Sequence, residues 1–127
     1  MTMVLADTSV WVSHFRKSNA ALASLLANDQ ILVHPLVVME LACGTPPSPR
    51  LRTLDYLKRL QQAKVASAEE TLQLIEMHQL FESGCGAIDV SLLASTLLSE
   101  NALLWTLDRD LETLATRLGV SYNQKHH

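Results

Sequence analysis

Cysteine is too scarce here to hold the chain together. Cys43 and Cys85 are the only two, with neither the number nor the spacing of a disulfide framework or a zinc site, so both are expected to be reduced, core-type thiols. His14, His34 and His78 show no paired spacing that would suggest zinc either. Positive charge is also short: ten Lys and Arg face thirteen Asp and Glu, for a net charge of -3. That balance excludes a protein that coats nucleic acid through bulk charge, while leaving room for an enzyme that grips it locally. The basic residues that do gather, Arg50, Arg52, Lys58, Arg59 and Lys64, suit a solvated helix face first and a substrate-backbone contact second. Glycine numbers four, and none forms a Gly-x-Gly-x-x-Gly or Gly-x-x-x-x-Gly-Lys segment, which removes the phosphate cradle of nucleotide-binding folds. No uncharged run approaches the roughly 18 residues of a membrane span. The N-terminus lacks the basic start and long apolar stretch of a secretory signal. A cytoplasmic protein with no membrane attachment is expected.

What is present is apolar sequence enough for one core. The 127 residues, 48% of them hydrophobic, suffice for a single domain without metal or disulfide staples. A mean hydropathy of +0.14 implies a rather greasy surface, and a homodimer is the expected form. The domain is expected over residues 1–124, with Lys125-His126-His127 as a purification-tag remnant or disordered tail.

Periodicity and punctuation order the elements. Met3 to Ala6 is a short apolar run suited to a buried strand. Thr8 or Ser9 can cap a helix over Val10 to Arg16, and Asn19 another over Ala20 to Asn28. Gln30 to Val33 is a second β-rich run. Pro35 suits a first helical position, so Leu36 to Cys43 reads as a helix stopped by Gly44 and Pro46-Pro47. Leu51 to Gln62 reads as a helix and Lys64 to Ala66 as a candidate edge strand. Ser67 with Glu70 has the form of a capping box for a helix running to about Glu82. Gly84-Cys85-Gly86 ends that segment, and Ile88 to Ser99 is an apolar helix. Ala102 to Trp105 is a strand, Asp108 to Leu118 a helix, and Gly119 to Tyr122 a candidate last strand. Such alternation predicts an α/β domain, with a mostly parallel central sheet of four to five strands flanked by helices.

Four carboxylates interrupt apolar stretches: Asp7 after Met3-Val4-Leu5-Ala6, Glu40 within Leu36 to Ala42, Asp89 within Ile88 to Ala94, and Asp108 after Ala102 to Leu107. Each of the three aspartates alone could be a cap or a turn residue. Glu40 has less excuse, because at 3.6 residues per turn it shares a stripe with Leu36 and Val37 and points toward the core side. A buried carboxylate is tolerated when a partner or a metal ion compensates its lost hydration. Two carboxylates about 4 Å apart repel by roughly 4 kcal/mol at an effective dielectric of ~20, and a divalent cation turns that repulsion into attraction. Oxygen donors favour Mg2+ or Mn2+ over zinc. In a parallel sheet such groups gather beyond the carboxyl ends of the strands, where Asp7 and Asp108 are expected. Asp89 lies near a helix start, whose dipole helps it stay ionised. Such an acidic cluster suits phosphodiester hydrolysis, since metal ions lower the pKa of an attacking water and neutralise charge on the phosphate. Thr8, Ser9 and Thr106 could hold a carboxylate or a water in place.

At these positions the chain resembles a known family. Leu5-Ala6-Asp7-Thr8-Ser9-Val10-Trp11, the mid-helix Glu40, Asp89-Val90-Ser91-Leu92-Leu93-Ala94-Ser95 and Thr106-Leu107-Asp108-Arg109-Asp110-Leu111 look like the successive motifs of PIN-domain ribonucleases. Length and motif order resemble the VapC-like toxins of toxin-antitoxin pairs. The resemblance implies metal-binding, catalytic acids at Asp7, Glu40, Asp89 and Asp108, with Asp110 as an additional or water-mediated ligand. Leu111 stands where the family often has an aromatic residue. A Mg2+-dependent endoribonuclease is implied, with Mn2+ able to substitute. Its substrate would be a structured RNA such as tRNA or ribosomal RNA. A small antitoxin protein would silence it by laying its C-terminal segment over the acidic groove, and such toxins usually dimerise. The alternatives are a free-standing RNA-processing nuclease and a catalytically silent PIN-like binding module. A haloacid-dehalogenase phosphatase is disfavoured because it needs a second Asp where Ser9 stands. A response-regulator receiver wants paired acids near its first strand, and Asp7 has no acidic neighbour.

Overall fold

The first strand, β1 (Met3–Ala6), is the middle of the sheet, and its composition says why. Val4, Leu5 and Ala6 are each 0% exposed, so both faces of the strand are covered and no polar residue is admitted between them. The computed structural model describes residues 1–123. After β1 come α1 (Thr8–Arg16), α2 (Ala20–Ala27), β2 (Ile31–Leu32), α3 (Pro35–Cys43), α4 (Arg50–Arg59), α5 (Ala68–His78), α6 (Ala87–Leu98), β3 (Ala102–Trp105) and α7 (Arg109–Arg117). The sheet order is β2-β1-β3, and both pairings are parallel. Val4 lies opposite Ile31, and Ala6 opposite Trp105. All three strands therefore end on the same side, which collects the residues that follow them.

Among the described residues three strands stand where four to five are expected, and the missing ones are lost for identifiable reasons. Lys64 to Ala66 forms no strand. The chain touches β2's extension at one parallel bridge, Val33 with Gln62. Beyond it the Lys64 and Ala66 amides donate to Ser99 Oγ and Ser95 Oγ of α6 at 2.9 and 3.0 Å. Hydroxyls on a helix take the donors that a ladder would have used. Gly119 to Tyr122 is likewise reduced to one bridge, Leu104 with Ser121. There the Val120 amide turns back to the Ala115 carbonyl and closes the end of α7. The tag or tail expected at residues 125–127 lies outside the described residues.

Helix ends follow local chemistry, with two corrections. Asp7, not Thr8 or Ser9, caps α1, accepting from the Val10 amide; the two hydroxyls are occupied elsewhere. The Ser67–Glu70 capping box forms as expected, but α5 stops at His78 because Gln79 adopts a left-handed conformation at φ +53°. Asn19 caps α2, and His34 Nδ1 accepts the Leu36 amide to cap α3. His34 is fully buried, and its Nε2 lies 2.9 Å from Ser95 Oγ, which ties the start of α3 to α6. Burial lowers the His34 pKa, in keeping with a neutral ring in the core. Of the two cysteines, both free, Cys43 is exposed rather than core-type and Cys85 is half-buried. Leu51, Leu72, Met77 and Phe81 stay exposed, as the greasy composition implied. Among the described residues no helix is long and apolar enough to cross a membrane.

Candidate functional site

Asp7 follows β1 directly, and the β1–β3 register places Thr106 beside it. Ala6 pairs with Trp105, and the Asp7 amide continues the ladder to the Trp105 carbonyl at 3.0 Å. The next side chain along β3 therefore meets Asp7. Thr106 Oγ1 donates to Asp7 Oδ2 at 2.5 Å, and Ser9 Oγ donates to Asp7 Oδ1, also at 2.5 Å. Each hydroxyl also accepts a backbone amide from the far side: Thr106 Oγ1 from Asp108 at 3.0 Å and Ser9 Oγ from Leu107 at 3.0 Å. A hydroxyl has one proton to give, and here both protons go to the carboxylate. Asp7 is 5% exposed. Burial pushes its pKa up, and the hydrogen bonds from Ser9, Thr106 and the backbone pull it partway back.

The other acids arrive from separate elements. α1 and α3 pack together, and Thr8 Oγ1 donates to Glu40 Oε1 at 2.6 Å, fixing a half-buried glutamate on the inner side of α3, as its helical position predicted. Asp108 caps α7: its Oδ1 accepts the Asp110 and Leu111 amides at 2.8 and 3.1 Å, leaving Oδ2 without a hydrogen bond among the described residues. Asp89 sits in the first turn of α6, half-buried. Burial raises its pKa most, and the negative fields of Asp108, Asp7 and Glu40 raise it further. That coupling brings all four acids into one electrostatic neighbourhood, although they lie on four segments.

Asp110 enters from the rim. It is exposed, and its carboxylate abuts Gly84: a Cβ at that glycine, which has φ +86°, would lie 2.3 Å from Asp110 Oδ2. Cys85 lies within the field of three of the acids: its thiol is pushed up to about 11 by burial and by Asp89, Asp108 and Asp110. Such a thiol is protonated and unreactive at neutral pH. In the sequence Gly84-Cys85-Gly86 reads only as a helix terminator. The glycine's role in making room for Asp110 depends on a tertiary contact that no local pattern signals.

Whether this cluster suits a divalent cation is a question of donors and counter-charge. The donors are carboxylate oxygens, which suit Mg2+ or Mn2+. The one ion pair among the described residues is Arg59 with Asp55 on α4, so no described lysine, arginine or histidine forms an ion pair with Asp7, Glu40, Asp89 or Asp108. The acids share a field but not a closed coordination shell: among the described residues no three His, Cys, Asp or Glu side chains are arranged to hold one ion. The chemistry of the donor set fits a hard cation, with Asp7 and Asp108 already oriented by hydrogen bonds.

Comparison with known proteins identifies the family. The PIN domain family model matches residues 4–116. The chain is 41% identical over 119 residues to Ribonuclease VapC32 of Mycobacterium tuberculosis, found in two strains, covering 94% of this chain and 95% of the relative. Among solved structures, the crystal structure of PAE2754 from Pyrobaculum aerophilum aligns with a TM-score of 0.56 at 19% identity, covering 93% of this chain and 90% of that one; it shows the shared fold. A match over most of the chain, with identity high enough to carry the family, means that this chain belongs to the PIN-domain family and to its VapC-type branch.

Proposed function

We propose that this protein is a divalent-metal-dependent endoribonuclease and the toxin of a toxin-antitoxin pair, acting through one domain over residues 1–124. The observation that supports it is the coupling of four acids with no ion pair to any of them among the described residues, in a chain 41% identical to a protein named as a ribonuclease. Asp7, Glu40, Asp89 and Asp108 would hold Mg2+, with Mn2+ as a substitute and Asp110 contributing from the rim. When bound, the metal would supply an activated water and neutralise charge on the scissile phosphate. The chain's own part is orientation. Thr106 and Ser9 hold both oxygens of Asp7, Thr8 holds Glu40, and the α7 cap holds Asp108 through Oδ1. The substrate is a structured RNA such as tRNA or ribosomal RNA, the protein works in the cytoplasm as a homodimer, and a small antitoxin covers the acidic groove.

Cleavage of total RNA by the purified protein tests this. Mg2+ or Mn2+ should support cutting, EDTA should abolish it, and Asp7→Asn or Asp89→Asn should be inactive. Cutting that persists in chelator rejects the metal mechanism. Absence of cutting, with no metal-dependent rise in melting temperature, would favour a silent binding module. Co-expression with the product of the adjacent short reading frame should yield a complex without activity.

A further inference from the structure

Beside the acidic cluster a cavity of about 480 Å³ opens between α1, α3 and the loop after α3, with Glu40 in its wall. Val12, Phe15, Leu41 and Pro47 give it an apolar lining, and Arg16 stands at its edge. Three features suggest a built site rather than a surface dimple. The loop is fastened from α4: Arg50 donates to the Ala42 and Gly44 carbonyls at 2.7 and 3.5 Å, and Thr53 Oγ1 to the Pro47 carbonyl at 2.8 Å. The Phe15 ring is steadied by Trp11, with centroids 5.8 Å apart. Arg16 is exposed and makes no ion pair or hydrogen bond among the described residues, although a glutamate lines the same cavity.

We propose that this cavity receives one unstacked nucleotide of the RNA strand, adjacent to the cleaved phosphate, with its base against Phe15 and a phosphate on Arg16. The inference rests on the nuclease function proposed above. Its volume is that of a small-molecule site, and single-stranded bases are commonly held by stacking on an aromatic ring or a guanidinium plane. The charges select the ligand further. In a chain of net charge -3, an arginine without an ion pair among the described residues, in a cavity lined mainly by apolar groups with one acid, Glu40, complements a group that is negative at one point and apolar beside it. A phosphate joined to a base has that pattern. A cationic peptide side chain would face Arg16 with like charge. Because Glu40 belongs to both the cavity and the acidic cluster, a nucleotide seated here places its neighbouring phosphate at the acids. The pocket would then set which base precedes or follows the cut.

The test uses the full-length protein and an RNA oligonucleotide carrying its mapped cut site. Replacing the base next to the cut by an abasic ribose should lower kcat/KM by about tenfold for the wild type, the scale of one lost base–aromatic stack. Phe15→Leu, which keeps an apolar packing group, should start about tenfold slower and lose little more on the abasic RNA. Arg16→Gln should weaken cutting of all sequences alike and flatten the salt dependence by about one unit of slope. Equal abasic sensitivity in wild type and Phe15→Leu, with both folded, overturns the proposal. An arm independent of cleavage separates this from failure of the nuclease function: adenosine 3′,5′-bisphosphate should shift the amide NMR signals of Phe15, Arg16 and Leu41 saturably, and not in Phe15→Leu. If no RNA is cut, the nuclease function fails, and these shifts alone decide whether a nucleotide pocket exists. Their absence with all four nucleoside bisphosphates also overturns it.

Discussion

Replacing Thr106 by valine keeps the shape of a fully buried side chain and removes one oxygen. That oxygen donates to Asp7 Oδ2 and accepts the Asp108 amide, so two hydrogen bonds go at once. The first is to a carboxylate that is 5% exposed, where water cannot replace it; losing a hydrogen bond to such a charge costs about 1.5–3 kcal/mol. The second partner is partly exposed and can turn to solvent, adding about 0.5–1 kcal/mol. A loss of about 2–4 kcal/mol is expected, which for a chain of this length lowers Tm by roughly 8–15 °C. Thr106→Ser separates the causes, since it keeps the hydroxyl and deletes a methyl, for about 1 kcal/mol. Thermal melts in EDTA at neutral pH measure both. The valine penalty should shrink on acidification, because protonated Asp7 no longer needs a donor on Oδ2. If valine costs under about 0.5 kcal/mol, or if serine costs as much as valine, then Asp7 is not held as a charged group by Thr106 and the network argument is wrong.

Other expectations follow from the same site. Asp89→Asn should raise Tm in EDTA, because burial and three neighbouring acids oppose its charge, and should reduce the rise that Mg2+ gives the wild type; a lower Tm in EDTA would refute the shared field. Asp7 and Asp89 have pKa values raised above that of an ordinary aspartate, so their stabilising contribution is complete below the ordinary value and is lost as pH rises through the raised ones. Measured as wild type against Asp7→Asn in EDTA, the difference should turn against the wild type between pH 4 and neutrality, and a difference that is flat across this range would contradict the shift. Gly84→Ala should lose about 1–2 kcal/mol, combining a positive φ with displacement of Asp110; denaturant melts check it, and no change would mean that the Asp110 contact is incidental.

The acids were readable in the sequence because each breaks an apolar run, and a break in a hydrophobic pattern is a local signal. Glu40's inward side was readable from helical spacing alone. Its anchor, Thr8, lies 32 residues away, and only the packing of α1 on α3 makes the pair. Thr106 was legible as a supporting hydroxyl but not as Asp7's partner, since the register Ala6 to Trp105 is a tertiary fact. The strand count failed for a related reason. Lys64 to Ala66 carries nothing that forbids a strand, and Ser95 and Ser99, which intercept its amides, lie some thirty residues downstream on α6. The cavity beside Glu40 is not legible in the sequence, where Phe15 and Arg16 look like the end of an ordinary amphipathic helix; only the fold brings the proline loop alongside them.

Those same two serines have a consequence for the molecule in a crowded solution. An unpaired strand margin is a template on which another chain can add, and proteins usually defend it with charge or proline. Here the margin beside β2 is closed by hydroxyls reaching down from a helix, so the backbone donors at Lys64 and Ala66 are spoken for and offer no purchase to an intruding strand. Removing both hydroxyls would free those donors, and losing Ser95's would also release His34 Nε2 at the start of the helix that carries Glu40.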